Sequence, residues 1–293
     1  METTELPPSV TVEPGPGGLA QVRVTSPLGI GTVSLHGATV TSWMPEGAAY
    51  DLLFVSPRAR FEPGTAIRGG IPLCAPWFGP GRTGDRRPAH GFLRTAPWTL
   101  TGARDDGGTV TLDLTLPPET YAALPAAAGW PADAVFTCAV ILGADLTLAL
   151  AVTAGASSLE VDWALHAYLR VGDVRRVTID GLDGADYVDK VNGGRVKRQH
   201  GPLTLTGETD RVYAAAHPVT VTDPVLGRTL AVAGVDNAQT VVWNPFADKA
   251  AGMPDLGDAW PDFVCVESAA VLDRFVTVGP GATARLGQRI ALR

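Results

Sequence analysis

The chain has 293 residues, 45% of them apolar and 18% charged, with a net charge of −7. That balance fits a folded chain and argues against wholesale disorder; the acidic excess argues against a general binder of nucleic acid or of an anionic membrane surface. Glycine (34) and proline (24) make up about a fifth of the chain, where an average chain carries roughly 12%, so many turns and few long helices are expected.

Short strand-like runs recur in chain order. Val10–Val12, Ala20–Val24, Gly31–Leu35 and Thr39–Trp43 come first, after an N-terminal stretch, residues 1–9, expected to be a loose tail. Trp98–Thr101, Thr109–Leu116, Ala134–Leu142, Leu146–Thr153 and Leu159–Val171 follow. Val219–Asp223, Thr229–Val232, Thr240–Trp243, Asp262–Ser268, Arg274–Val278 and Thr283–Ile290 close the chain. They alternate, are rich in Val, Leu, Thr and aromatics, and end at Gly, Pro, Asp or Asn. Helical patterns are limited to Pro118–Leu124 and Pro245–Ala251, each with proline near its first helical position. No linker or 20–50-residue repeat divides the chain, so residues 1–293 are expected to form a single domain. The predicted fold class is all-β, a large antiparallel β-sandwich with a few short helices.

The start METTELPPSV lacks the basic residues and apolar run of a secretory signal. No apolar run reaches the length of a membrane span. The three cysteines, Cys74, Cys138 and Cys265, are too few and too far apart for a disulfide framework or a zinc site. Cys138 and Cys265 read as buried thiols. The expected location is the cytoplasm.

Ser56–Arg94 stands apart. It shows no strand pattern, and a third of it is glycine and proline. It holds seven arginines (58, 60, 68, 82, 86, 87, 94) against two acids, a net +5 that leaves −12 on the rest of the chain. A long irregular stretch with this apolar content is expected to be functional, and its charge makes it a candidate anion site. Arg68 precedes Gly69-Gly70, where a backbone without Cβ can approach a ligand; Arg94 ends His90-Gly91-Phe92-Leu93-Arg94. Guanidinium groups bind phosphate or carboxylate in a bidentate manner. Taken singly, each arginine also reads as a surface charge, and Arg82, Arg86 and Arg87 read so most plainly.

In Leu159–Val171 the odd positions are all apolar, and the even positions include His166 and Tyr168. His166 therefore lies on the polar face of a strand, lining a cleft or simply solvated. Glu267, in DFVCVESAA, has apolar neighbours on both faces; it is either a buried carboxylate of raised pKa, hence a stronger base, or a strand-end residue that reaches solvent. Trp243-Asn244 ends a strand and offers a ring and an amide suited to carbohydrate, or a core tryptophan with a turn-forming Asn-Pro. Asp210 reads as a site carboxylate or as a turn residue. HExxH, GxSxG and P-loop patterns are absent, and no GxGxxG lies between a strand and a helix as a dinucleotide fingerprint requires.

In combination, Arg68-Gly69-Gly70-Ile71-Pro72, Pro76-Trp77-Phe78-Gly79, His90-Gly91-Phe92-Leu93-Arg94, Leu165-His166-Ala167-Tyr168-Leu169, Glu208-Thr209-Asp210, Trp243-Asn244-Pro245 and Val266-Glu267-Ser268 resemble the aldose 1-epimerase (mutarotase) superfamily. The closer likeness is to its glucose-6-phosphate 1-epimerase branch, and it spans nearly the whole chain. The resemblance implies a galactose-mutarotase-like supersandwich that interconverts sugar anomers with no metal and no organic cofactor. By match, His166 is the general acid and Glu267 the general base, with nearby carboxylates keeping His166 protonated. Arg68 and Arg94 match the 6-phosphate arginines, and His90 and Asp210 match sugar-site residues. Ala75 and Ala89 depart from the pattern and imply a smaller wall and a lost amide. The implied partner is a small-molecule sugar phosphate, with no nucleic acid or membrane partner, and the implied state is a monomer. Two other functions fit less of the pattern: a mutarotase for unphosphorylated aldoses, and a carbohydrate-binding module without turnover.

Overall fold

The computed structural model describes residues 5–293. Almost all regular structure is antiparallel β-sheet. A four-stranded meander runs Val10–Pro14, Ala20–Ser26, Gly29–Ser34, Thr39–Pro45. One eight-stranded sheet has the spatial order Thr178–Asp180, Val219–Asp223, Arg228–Val235, Thr283–Leu292, Leu146–Thr153, Val135–Leu142, Thr109–Leu116, Thr99–Asp106. A second eight-stranded sheet has the order Arg195–Arg198, Asp186–Asp189, Thr209–Tyr213, Gln239–Asn244, Phe263–Ala270, Trp163–Leu165, Leu73–Cys74, and Tyr168–Arg170 also pairs with Phe263–Ala270.

Alternation sets the layers. Along Phe263–Ala270 every residue is buried. Val264, Val266 and Ala270 join the main core, whereas Phe263, Cys265 and Ala269 belong to smaller apolar clusters on the opposite face. The main-core face packs on the other large sheet, and Gln288 Nε2 donates to the Val266 carbonyl across the layers at 3.0 Å. That bond satisfies one end of the buried amide, while Gln288 Oε1 has no partner among the described residues.

The run Leu159–Val171 is not one strand. Leu159–Val161 pairs with Val276–Val278, while Trp163–Leu165 and Tyr168–Arg170 pair with Phe263–Ala270. The alternation within it holds: Trp163, Leu165, Ala167 and Leu169 face the main core, and Ala164 and Tyr168 face the other side. Sequence patterning missed the strands Leu73–Cys74, Thr178–Asp180, Asp186–Asp189, Arg195–Arg198 and Thr209–Tyr213. They are short or rich in charged residues. Among the described residues the α-helices are Pro118–Tyr121 and Phe246–Ala251; Pro118 opens the first, and Pro245 sits at the cap of the second. Cys74, Cys138 and Cys265 are all buried free thiols. Of the expected tail, residues 1–4 lie outside the described residues. Pro7 and Ser9 accept backbone hydrogen bonds from Val10 and Thr25.

The glycine-rich segment is held by backbone hydrogen bonds. Gly70 N donates to the Phe54 carbonyl at 2.7 Å, Tyr168 N to Gly70 at 2.9 Å, Ile71 N to Val40 at 2.9 Å and His166 N to Pro72 at 3.1 Å. Gly69 and Gly70 therefore serve a close approach of backbone to backbone, where a close approach to ligand was expected. A Cβ on Gly69 would lie 2.4 Å from the Phe54 carbonyl oxygen, and one on Gly70 2.2 Å from that of Val40, both at positive φ. Gly70→Ala should cost about 2–4 kcal/mol, read as a lower urea midpoint; an unchanged midpoint would show that this threading carries no stability.

Candidate active site

The strand pairing that brings His166 to Glu267 can be read from the register. Leu165 pairs with Ser268 and Tyr168 with Cys265, so the register is unshifted and His166 lies directly opposite Glu267. The ladder opens at this point. His166 N turns to the Pro72 carbonyl, and Ala167 N bonds back to the Leu165 carbonyl at 3.0 Å. Both side chains project to the cleft side of the sheet, with His166 Nε2 3.4 Å from Glu267 Oε1. Neither is solvated: exposure is 8% for His166 and 1% for Glu267.

They line a cleft of about 320 Å³ together with Arg68, Phe78, His90, Arg94, Asp210 and Trp243. Tyr168 stacks on the His166 ring, centroids 4.8 Å apart and planes 15° from parallel. Trp243 and His90 meet the same ring edge-on at 5.7 and 6.0 Å. His90 closes the loop that begins at Gly79: its N–H donates to the Gly79 carbonyl, and Gly79 N–H donates to His90 Nδ1. Arg68 is fastened from below, donating from Nε to Asp255 at 3.0 Å and from Nη1 to the Tyr168 hydroxyl at 3.1 Å. Arg94 donates from Nη2 to the Ala89 carbonyl at 2.8 Å, and its buried Nε has no partner among the described residues.

Asn244 is a correction. Its side chain is fully buried and spent on the chain itself, donating to the Trp260 and Phe263 carbonyls and accepting from Phe246 N–H. It shapes the turn and does not line the cleft. Asp210 belongs to a strand, Thr209–Tyr213, rather than a turn. Ala75 is wholly buried in the main core, so it forms no cleft wall, whereas Ala89 does line the cleft.

Sequence reasoning missed two cations. Lys190 sits just beyond Asp186–Asp189, its Nζ 3.1 Å from Asp210 Oδ2 and 5.2 Å above the Phe78 ring. Lys249, on Phe246–Ala251, bonds Glu208 at 2.5 Å. Both lie far along the chain from the basic segment, and no spacing marks them. Of the seven arginines in that segment, only Arg68 and Arg94 line the cleft.

The electrostatics follow from burial. Desolvation pushes the His166 imidazole down to about 3, and Arg94 and Arg68 add to the fall. Desolvation also lifts the Glu267 carboxyl well above the usual carboxylate range; Asp210 adds to the rise, and Lys190 and Arg94 oppose it. Burial, with Arg94 and His166, holds His90 well below its ordinary value. The direction is opposite to that expected for His166: burial and the neighbouring arginines disfavour the imidazolium, and burial disfavours the Glu267 carboxylate, so both groups are biased towards their neutral forms. His166 Nδ1 and both Glu267 oxygens make no hydrogen bond among the described residues. For a buried carboxyl that is unusual, and it leaves donors and acceptors free for hydroxyl groups.

The chain matches the aldose 1-epimerase family over residues 29–291. It belongs to that family. An Escherichia coli K12 protein is 36% identical over 241 residues, covering 80% of this chain and 78% of its own length, and one from Cenchrus ciliaris is 34% identical over 274 residues, covering 89% and 80%. Both are named "Putative glucose-6-phosphate 1-epimerase". The crystal structure of a "putative mutarotase" from Salmonella typhimurium is 30% identical and covers 98% of this chain and 95% of its own, with a TM-score of 0.89. A galactose mutarotase-like protein from Clostridium acetobutylicum, 11% identical with a TM-score of 0.73, shares the fold. The chain is thus an epimerase of the mutarotase fold. Among the described residues no helix is long and apolar enough to cross a membrane.

The depressed His166 pKa carries a sign that can be checked. An unfolded histidine takes up a proton near pH 6.5, whereas the folded one waits until about 3. The unfolded chain binds more protons in that window, so this residue's contribution to stability is lost as pH falls from about 6.5. In the unliganded protein, the His166 ring-nitrogen NMR shifts should keep their neutral-form values from about pH 8 to about pH 5. Protonation within that range would show that the burial is overcome.

Proposed function

We propose that the cleft interconverts the α and β anomers of a hexose 6-phosphate. The observation that carries this reading is the facing pair His166 and Glu267 in a cleft that also holds Arg68, Arg94, Lys190 and Lys249. Ring opening requires a proton to leave the anomeric O1 hydroxyl and another to reach the ring O5 as the C1–O5 bond breaks. A carboxylate and an imidazolium on adjacent strands serve as base and acid. The resulting aldehyde rotates about C1–C2, O5 attacks the other face, and both transfers reverse. Nothing is oxidised.

Burial biases the pair towards its neutral forms, and its working form follows when one proton moves from Glu267 to His166. The cations Arg94, Arg68 and Lys190 oppose a charge on the imidazole. A phosphate dianion among them offsets that opposition, so the substrate's own charge favours the imidazolium. Free glucose brings no such charge, which is why the phosphorylated sugar fits the site better. His90, Asp210 and Trp243 supply the polar groups and the ring face for the sugar hydroxyls and C–H bonds.

Anomer exchange of glucose 6-phosphate, followed by low-temperature NMR, should exceed the buffer rate. His166→Ala and Glu267→Gln should each lower kcat by about 10²–10⁴-fold. No acceleration, or unimpaired variants, would overturn the assignment. Arg94→Ala should raise KM for glucose 6-phosphate about tenfold more than KM for glucose; equal effects would assign the cleft to unphosphorylated aldoses.

A further inference from the structure

A second cleft, of about 300 Å³, opens beside the first and is lined by Trp77, Arg82, Arg86, Trp130, Glu160 and Asp162. The same segment of chain serves both clefts: Trp77 lines the second and Phe78 the first. None of the groups assigned to anomer exchange lies in it.

Asp162 is its most telling residue. It sits at the break between Leu159–Val161 and Trp163–Leu165, where the chain leaves one strand partner for another. Its backbone N–H is satisfied by the Pro76 carbonyl at 3.1 Å. Its side chain is only 5% exposed, and Oδ1 makes no hydrogen bond among the described residues, with Arg82 Nε 3.4 Å away. A carboxylate buried for structural reasons usually caps backbone N–H groups; among the described residues Asp162 caps none. Burial lifts its pKa to about 6 even though Arg82 pulls the other way.

The surroundings are prearranged. Arg82 stacks over the Phe275 ring at 3.7 Å and is paired with Glu160. Arg86 lies over Trp77 at 5.4 Å. Trp130 is half-buried, and its Nε1 also lacks a partner among the described residues. The lining therefore offers two carboxylate acceptors, two guanidinium donors and the half-exposed indole of Trp130, with Trp77 buried behind Arg86, and it has no net charge. The first cleft, by contrast, has an excess of cations. A neutral ligand with several adjacent hydroxyls and an apolar C–H face matches all three features, because hydroxyls donate to carboxylates, accept from guanidinium groups, and leave the ring face for indole. A phosphate would meet two carboxylates.

We propose that this second cleft binds an uncharged pyranose, separately from the cleft that holds His166 and Glu267. This does not depend on what the first cleft turns over. The probe is methyl α-D-glucopyranoside, whose anomeric oxygen is blocked. It is titrated into the intact protein while the tryptophan indole N–H resonances are followed by NMR, assigned with Trp77→Phe, Trp130→Phe and Trp243→Phe. The expected result is a saturable shift at Trp130 or Trp77 that persists in Glu267→Gln and is weakened about tenfold or more in Asp162→Asn. Arg86→Ala gives a second measurement should Asp162→Asn fold poorly, and it should weaken binding in the same direction. No saturable shift, a shift confined to Trp243 in the first cleft, or unchanged affinity in the lining variants would overturn the proposal.

Discussion

Much of the molecule's chemistry depends on one strand pairing. Because the register between the His166 and Glu267 strands is unshifted, an imidazole and a carboxyl face each other across a sheet whose other face is the main hydrophobic core. The local opening of the ladder lets Pro72 take the His166 amide, tying the glycine-rich segment to the same point. A slip of one residue would send His166 into the core and leave Glu267 without a partner. The large apolar face behind the strands resists that slip, so the sandwich core fixes the geometry of the site.

Burial then sets the charge state. Two ionisable groups removed from water both favour their neutral forms, and the nearby cations add to this for the imidazole. A cleft of this kind is tuned by what enters it, since an anion among Arg68, Arg94 and Lys190 changes the balance in a way that a neutral sugar does not. The fastening of Arg68 to Asp255 and Tyr168 and the stacking of Tyr168 on His166 link the cations of the cleft to the His166–Glu267 pair through direct contacts.

The segment between Pro76 and His90 separates two chemistries. Phe78 and His90 belong to the cation-rich cleft, and Trp77, Arg82 and Arg86 to the neutral one. The arginines that read as plain surface charges in the sequence are thus divided: Arg82 and Arg86 line a second cavity, while Arg58 reaches Asp258 at the surface.

Alternation made much of the β-architecture legible, together with the side of the sheet that His166 occupies, because period-2 patterning reports directly which side a residue takes; it left Glu267 open between burial and solvent, and the packed sheets bury it. The combination of RGGIP and HGFLR with the later segments carried the family. Charged strands such as Arg195–Arg198 were not legible, because they have no apolar face to declare them. Nor could local sequence show that Asn244 is spent on backbone carbonyls, that Lys190 and Lys249 reach the cleft, or that Asp255 fastens Arg68 across 187 residues of chain. The sequence by itself determined the β-sandwich class, the basic segment and the side of the sheet that His166 occupies. Only the tertiary structure decided which cations share a cleft and that burial biases His166 and Glu267 towards their neutral forms, because both depend on through-space distance and on how much water the packed sheets exclude.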